Sequence, residues 1–165
     1  MELFRENGYE DVPIAHIAAA AGVSVQTFYA HYAGKDELLM ALPDPAEIAA
    51  LVASLPTDRP LGERMRRIIH AFLRGPGGDY WADALARWRV IAATPGLRYR
   101  AAEYERATAQ MCLDALGEKG NPAATVVVTA HMSAYTQALL RWAESDGALP
   151  LEEAAEEALA ALRDL

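Results

Sequence analysis

The sequence is poor in cysteine and in long apolar runs. Its one cysteine, Cys112, excludes an internal disulfide. No apolar run reaches the ~18 residues of a membrane helix, so no membrane partner is predicted. The start, MELFRENGYE, carries acidic side chains and no apolar core of a secretion signal. We therefore expect a cytoplasmic protein.

Basic residues are also scarce. Fifteen Lys and Arg stand against 23 Asp and Glu, which gives a net charge of −8 and a pI near 5.0. This balance argues against a general nucleic-acid binder. Local DNA contact stays open, because a few placed cations act within a Debye length of about 10 Å.

Alanine and leucine are abundant, and hydrophobic residues make up 53% of the chain, so we predict an all-α fold with a buried core. Prolines and glycines predict breaks at Leu42–Glu47, Leu55–Gly62 and Arg74–Asp79. Apolar residues at helical spacing predict helices between the breaks, the longest from about Pro122 to Glu144 and the last from Leu151 to Leu165. No catalytic or metal-ligand spacing is present, so we predict no enzyme activity, no metal and no cofactor.

The stretch AGVSVQTFYAHYAGKDELL, Ala21 to Leu39, has the spacing of a helix–turn–helix. Ala18 is small enough for two helices to approach closely. Gly22 supplies the positive φ of the turn, and Ser24 can cap the next helix by accepting from the amide of Thr27.

The same spacing predicts which of the larger side chains are buried and which are exposed. Val23 and Phe28 are expected to fill the space between the two helices, and Tyr32 to join the core. The side chains left with mainly exposed directions are Val25, Gln26, Thr27, Tyr29 and His31. The domain's apolar residues are thereby expected to be used in its own small core.

The segment from Leu3 to about Leu39 resembles the N-terminal domain of the TetR family of bacterial transcriptional regulators. The combination AGVSxxTFYxHYxxKDELL is far more specific than a bare helix–turn–helix pattern. The resemblance implies a three-helix DNA-binding domain at residues 1–42. It also implies a helical-bundle ligand-binding and dimerisation domain at residues 43–165. Family members usually begin earlier, so the front of the first helix is expected to be missing.

Carried over by position, the resemblance assigns DNA contacts. Val25, Gln26, Thr27 and Tyr29 fall on the recognition helix in the major groove. Gln26 can pair with an adenine edge and Val25 can meet a thymine methyl. The positions expected at phosphates are Ser24, Thr27, Tyr29, His31 and Lys35.

The resemblance also implies a ligand cavity and a dimer interface in the second domain. The residues predicted near a ligand are Trp81, Trp88, Tyr104, Met111, His131 and Tyr135, with simple core packing as the alternative for each. Small and apolar faces of the last two helices predict the interface at Val127, Ala130, Ala134, Ala138, Ala155, Ala158, Leu159 and Leu162.

The expected function is a ligand-responsive regulator, a repressor, that binds a palindromic double-stranded DNA operator as a homodimer. Its ligand would be small and apolar or amphipathic. Two alternatives remain open: an enzyme or carrier using the same cavity, and a dimeric small-molecule-binding or interaction module that no longer binds DNA. The second is supported by residues 1–42, whose two basic and six acidic residues give a net charge of −4.

Overall fold

The computed structural model describes residues 1–74 and 77–163, and within these residues it is helical without strands, which confirms the all-α prediction. In the described chain no helix is both long enough and apolar enough to cross a membrane. Residues 75–76 of the predicted third break and residues 164–165 of the predicted last helix lie outside the described residues. The α-helices are α1 (Glu2–Asn7), α2 (Ile14–Ala20), α3 (Val25–His31), α4 (Pro45–Ala53), α5 (Leu61–Arg74), α6 (Gly78–Ala93), α7 (Pro95–Leu116), α8 (Pro122–Glu144) and α9 (Leu151–Ala161), and a 3-10 helix spans Lys35–Leu38.

The helix–turn–helix forms from local signals in the sequence, as predicted. Gly22 takes a φ of 69°, a conformation that strains residues with a Cβ. The Ser24 hydroxyl accepts from the Thr27 amide at 3.0 Å and so satisfies a free donor at the start of α3. Ala18 is only 1% exposed at the crossing of α2 and α3.

Two predicted core positions of this domain are wrong. Val23 is 42% exposed and Tyr32 is 38% exposed. The side chain of Phe28, 5% exposed, is buried at this crossing, so Val23 in the turn faces outwards. Tyr32 follows the end of α3 and rests its ring on that of Phe28, with 5.4 Å between the centroids.

The connection out of the first domain is extended rather than helical. Residues 40–44 have no regular secondary structure, as the two prolines of the Leu42–Glu47 break predict. The Asp44 carboxylate then accepts from the Ala46 amide at 2.8 Å, and Pro45 occupies the first turn of α4.

Helix α8 is the centre of the remaining bundle and packs against α5, α6, α7 and α9. Its N-cap is Asn121, whose side-chain oxygen accepts from the amides of Ala123 and Ala124. Its buried positions occur on several sides because it has neighbours on several sides, and they include Val128, Ala138 and Trp142.

The N-terminal helices are docked onto this bundle through one group of buried residues, here termed the shared cluster. Its members are Phe4, Val12, Leu39 and Met40 from the first domain and Ile91, Ala92, Leu97, Ala101, Leu140 and Ala143 from the bundle. The expectation that the first domain uses its apolar residues in a core of its own is therefore wrong. A domain this small gains buried area by packing on a larger neighbour.

Candidate DNA-binding surface and ligand cavity

The recognition-helix candidates are all exposed on α3, where Phe28 is the buried residue. Val25 is 40% exposed and Tyr29 is 55% exposed, while Phe28 on the opposite side is buried. The Ser24 and Thr27 hydroxyls are 2.8 Å apart and share a hydrogen bond. The further exposed candidates on this surface are Ser24, Gln26, Thr27 and His31.

Lys35 is placed differently from the other candidates. Its ammonium donates to three backbone carbonyls of the loop before α2: to Tyr9 at 2.6 Å, to Glu10 at 3.1 Å and to Val12 at 3.1 Å. It also lies 4.4 Å from the centroid of the Tyr9 ring. An ammonium has three N–H donors, so all of them are engaged. We term this arrangement the lysine clamp.

Two carboxylates, those of Glu10 and Asp36, act on the Tyr9 side chain of the lysine clamp. Burial, together with the charges of Asp36 and Glu10, raises the pKa of the Tyr9 phenol to about 12. Through the three charge-assisted hydrogen bonds of Lys35, the clamp joins the 3-10 helix to the loop before α2.

A second polar link joins the same 3-10 helix to the bundle. Both Nε and Nη2 of Arg100, on α7, donate to Oδ2 of Asp36, at 3.1 and 2.7 Å. The Asp36 side chain is 18% exposed, whereas that of Arg100 is 49% exposed. This Arg100–Asp36 bridge lies one helical turn from Tyr104, which packs against the shared cluster.

A cavity of about 350 Å³ lies inside the bundle, next to the docked domain. Its aromatic walls are Phe72, Tyr80, Trp81, Trp88, Tyr104 and Tyr135. One further wall is the segment Leu39–Pro43, the chain that leaves the 3-10 helix. The segment that positions the first domain therefore also encloses the cavity.

Four of the six predicted ligand residues line this cavity: Trp81, Trp88, Tyr104 and Tyr135. Met111 and His131 do not, and their assignment is corrected. Met132 and Tyr135 line the cavity, and successive side chains of a helix point about 100° apart. His131 thus lies beside α5, buried, with Nδ1 2.7 Å from the carbonyl oxygen of Val127.

The cavity also contains residues that the sequence pattern did not mark. Arg87 and Cys112 both line it. Burial raises the pKa of the Cys112 thiol to about 11, and burial raises the pKa of the Tyr135 phenol as well. Both groups are therefore neutral at physiological pH. In the sequence, Arg87 stands one helical turn after Asp83 and next to Trp88, and this position is the pattern that could have indicated a cavity residue.

The predicted dimer face needs correction at four positions. Ala134, Ala138, Ala155 and Leu159 are at most 9% exposed and belong to one core cluster within the chain, where α8 packs on α9. They have no free surface for a second copy. Val127, Ala130, Ala158 and Leu162 are partly exposed.

Comparison with known proteins shows which family the chain resembles. Residues 1–42 match the sequence profile described as bacterial regulatory proteins of the tetR family. The chain is also 33% identical, over 123 residues, to the HTH-type transcriptional regulator TcmR of Streptomyces glaucescens. That similarity covers 67% of this chain and 51% of TcmR, so the chain spans about half the length of this curated relative. With its helix–turn–helix and following helices, the chain belongs to the TetR family of bacterial transcriptional regulators.

Proposed function

We propose that this protein is a ligand-responsive transcriptional repressor that binds a palindromic DNA operator as a homodimer. The observation that carries the proposal is the outer side of α3. Its polar and small side chains project from a helix that is capped at Ser24 and anchored by Phe28. Side chains held in this way on a rigid helix can enter the major groove.

The proposed contacts divide into two kinds. Gln26 would bond to an adenine edge, and Val25 would pack against a thymine methyl. The hydroxyls of Ser24, Thr27 and Tyr29, together with the imidazole of His31, would bond to phosphates and fix the position of α3 in the groove.

Lys35 is assigned a different part in this proposal. Because its donors are engaged by carbonyls, it would act by holding α3 and the preceding loop in place rather than by binding a phosphate. DNA binding would then rely mainly on neutral donors.

The proposed ligand response follows from the position of the cavity. A ligand would contact both the bundle wall and the segment Leu39–Pro43. Any shift of that segment is transmitted to the 3-10 helix, which is tied by the lysine clamp to the loop before α2. Ligand binding would favour a spacing of the two recognition helices that no longer fits the operator, which is a population shift between two states.

The proposed homodimer would place the two α3 helices about 34 Å apart, or a multiple of this distance, on successive turns of DNA. The buried alanines of α8 cannot contribute to the dimer interface, so we assign the interface to the outward side of this helix. There Val126 is 69% exposed, and Ala130 and Ser133 are partly exposed. A two-fold axis beside this side would pair α8 with its symmetry copy.

The test is selection of bound sequences from random DNA, followed by titration of the selected site with variants. Gln26→Ala should relax preference at one base position by about 1–3 kcal/mol. Tyr29→Phe, which removes only the hydroxyl, should weaken binding to all sequences alike. Gln110→Ala, on the exposed side of α7, serves as the control. Failure to enrich any sequence, or an unchanged base profile for Gln26→Ala, would contradict the proposal.

Two observations favour a second candidate, a dimeric small-molecule-binding or interaction module without DNA binding. The predicted phosphate cation Lys35 is engaged elsewhere, and residues 1–42 carry a net charge of −4. In that case the selection would enrich nothing while the cavity still bound small molecules. The two candidates therefore give different results in the same experiment.

A further inference from the structure

The cavity wall contains one positively charged side chain among its described residues, that of Arg87 on α6. The side chain is 23% exposed, and its guanidinium lies 5.8 Å from the centroid of the Tyr80 ring. The other charged residues of the lining are Glu47, which is exposed, and Glu105, which is partly exposed.

The guanidinium of Arg87 has unused hydrogen-bonding capacity. Its Nε lies 3.2 Å from the Asp83 carboxylate, an ion pair one helical turn away, but the atom is buried without a hydrogen bond. In the part of the chain that the structure describes, Nη1 and Nη2 have no hydrogen-bond partner either. Guanidinium carries five N–H donors in a planar fork, a shape that matches a carboxylate or another pair of oxygens.

The rest of the wall defines the body of a ligand that could use these donors. Six aromatic side chains surround a volume at the lower end of the roughly 300–1,000 Å³ of small-molecule sites. Flat aromatic groups stack favourably on such walls. Glu47 and Glu105 would repel a second negative charge, whereas Arg87 would repel a cation placed among the rings.

We propose that the cavity binds a compact aromatic ligand that carries a single anionic oxygen group, paired with the guanidinium of Arg87. This inference rests on the proposed function of the cavity and adds the chemical class of its ligand. The anionic group would supply acceptors to Nη1 and Nη2, and the ring system would fill the space between the tryptophans and Tyr104.

A matched pair of fluorescent probes tests the proposal. 8-Anilinonaphthalene-1-sulfonate is an aromatic anion, and N-phenyl-1-naphthylamine has the same rings without the sulfonate. Emission is titrated with each probe, and energy transfer from the tryptophans of the bundle reports that the probe is bound near them. The wild-type chain should bind the anion about tenfold more tightly, or better, because hydrogen bonds to charged groups are the stronger kind.

Variants assign the preference to one side chain. Arg87→Met should remove the preference for the anion while leaving the affinity for the neutral probe nearly unchanged. Arg87→Lys keeps the positive charge but not the planar set of donors, so it should retain part of the preference for the anion. If Arg87→Met fails to fold, a reduced anion preference in Arg87→Lys supports the assignment. Arg89→Met is the control, because Arg89 lies on the same helix, outside the lining, and pairs with Asp146.

The outcomes distinguish a failure of the proposed ligand class from a failure of the proposed ligand response. Equal binding of the two probes by the wild-type chain, or an anion preference that survives undiminished in both Arg87→Met and Arg87→Lys, would overturn the proposed ligand class. Thr108→Phe, which adds bulk to the cavity wall without adding a tryptophan, should weaken both probes. If neither probe shows energy transfer and Thr108→Phe changes nothing, the cavity is not a binding site, and the ligand response in the proposed function fails with it.

Discussion

The two parts of this molecule differ in how they are held together. The bundle, from α4 to α9, has two core clusters of its own in addition to the shared cluster. In the first domain only Ala18 and Phe28 are buried apolar residues outside the shared cluster, among the described residues. The other buried side chains of that domain, Phe4, Val12, Leu39 and Met40, pack on the bundle.

This difference has a functional consequence. A domain with a full core would keep its position whatever happened in its neighbour. Here the docked helices depend on a surface that also adjoins the cavity, since Leu39, Met40 and Ala101 belong to both the shared cluster and the cavity wall. In the proposed function, a change in the bundle would bias the position of α3 through this surface, which is what coupling between two sites requires.

The largest effect is expected from a charge in the bundle core. Ala138→Arg places a guanidinium at a position that is fully buried between α8 and its neighbours. A buried unpaired charge costs several kcal/mol, so urea should unfold the variant at much lower concentration and helical circular dichroism should be lost. Ala50→Arg, at an exposed position of α4, should unfold like the wild type. A folded Ala138→Arg chain would contradict this packing of α8.

Phe28→Ala should have a large effect that stays within the first domain. Removing a buried phenylalanine costs about 3–5 kcal/mol. Phe28 lies outside the shared cluster, so the bundle should keep its stability. All three tryptophans, Trp81, Trp88 and Trp142, are in the bundle, so their fluorescence follows its unfolding.

The two parts can be followed separately in the Phe28→Ala chain. Amide hydrogen exchange should accelerate in α2 and α3, while the thermal transition seen by tryptophan fluorescence should stay at the wild-type temperature. A lowered tryptophan transition would show that the two parts unfold together, against the comparison drawn here.

Lys35→Met tests the lysine clamp with a smaller effect. Loss of three hydrogen bonds to carbonyls should loosen the loop before α2 and weaken operator binding by about 1–3 kcal/mol. The slope of log affinity against log salt concentration should stay unchanged, since no phosphate contact is lost. Lys119→Met, in the exposed turn between α7 and α8, is the control. A slope reduced by about one unit would place Lys35 on a phosphate instead.

The smallest effect is expected from alkaline titration of the bundle. The folded-state pKa of Cys112 is raised by burial to about 11, above the roughly 8.5 of an exposed thiol. The unfolded chain therefore loses this proton first, and the stabilising contribution, complete below pH ~8.5, is lost as pH rises towards 11. In Cys112→Ala, the free energy of unfolding should fall less steeply with pH over this range. Tyr99→Phe, whose parent side chain is 70% exposed, should leave it unchanged. An unaltered slope in Cys112→Ala would contradict the buried-thiol assignment.

Local sequence signals predicted a large share of the fold. The turn at Gly22, the cap at Ser24, the break at Leu42–Glu47 and the limits of α8 all depend on residues within a few positions of each other. Side-chain exposure on α3 followed from the same local spacing.

The remaining features depend on contacts between distant residues. Lys35 reaches carbonyls 23 to 26 residues away, and Arg100 reaches Asp36 from α7. The small-residue side of α8 could equally have faced α9 or a second copy, because alanine favours close approach in both cases. Only the packed structure shows that Ala134 and Ala138 face α9 and that Val126 faces outwards.

The dependence of the first domain on the bundle is tested most directly by hydrogen exchange in two matched core variants. Leu97→Ala opens the shared cluster, whereas Met65→Ala opens a cluster without residues of the first domain. Both parent side chains are at most 2% exposed, and both substitutions should cost about 2–5 kcal/mol. Only Leu97→Ala should accelerate exchange in α1, the loop before α2 and the 3-10 helix. Equal exchange in these segments for the two variants would show that the first domain is held by its own contacts and not by the bundle.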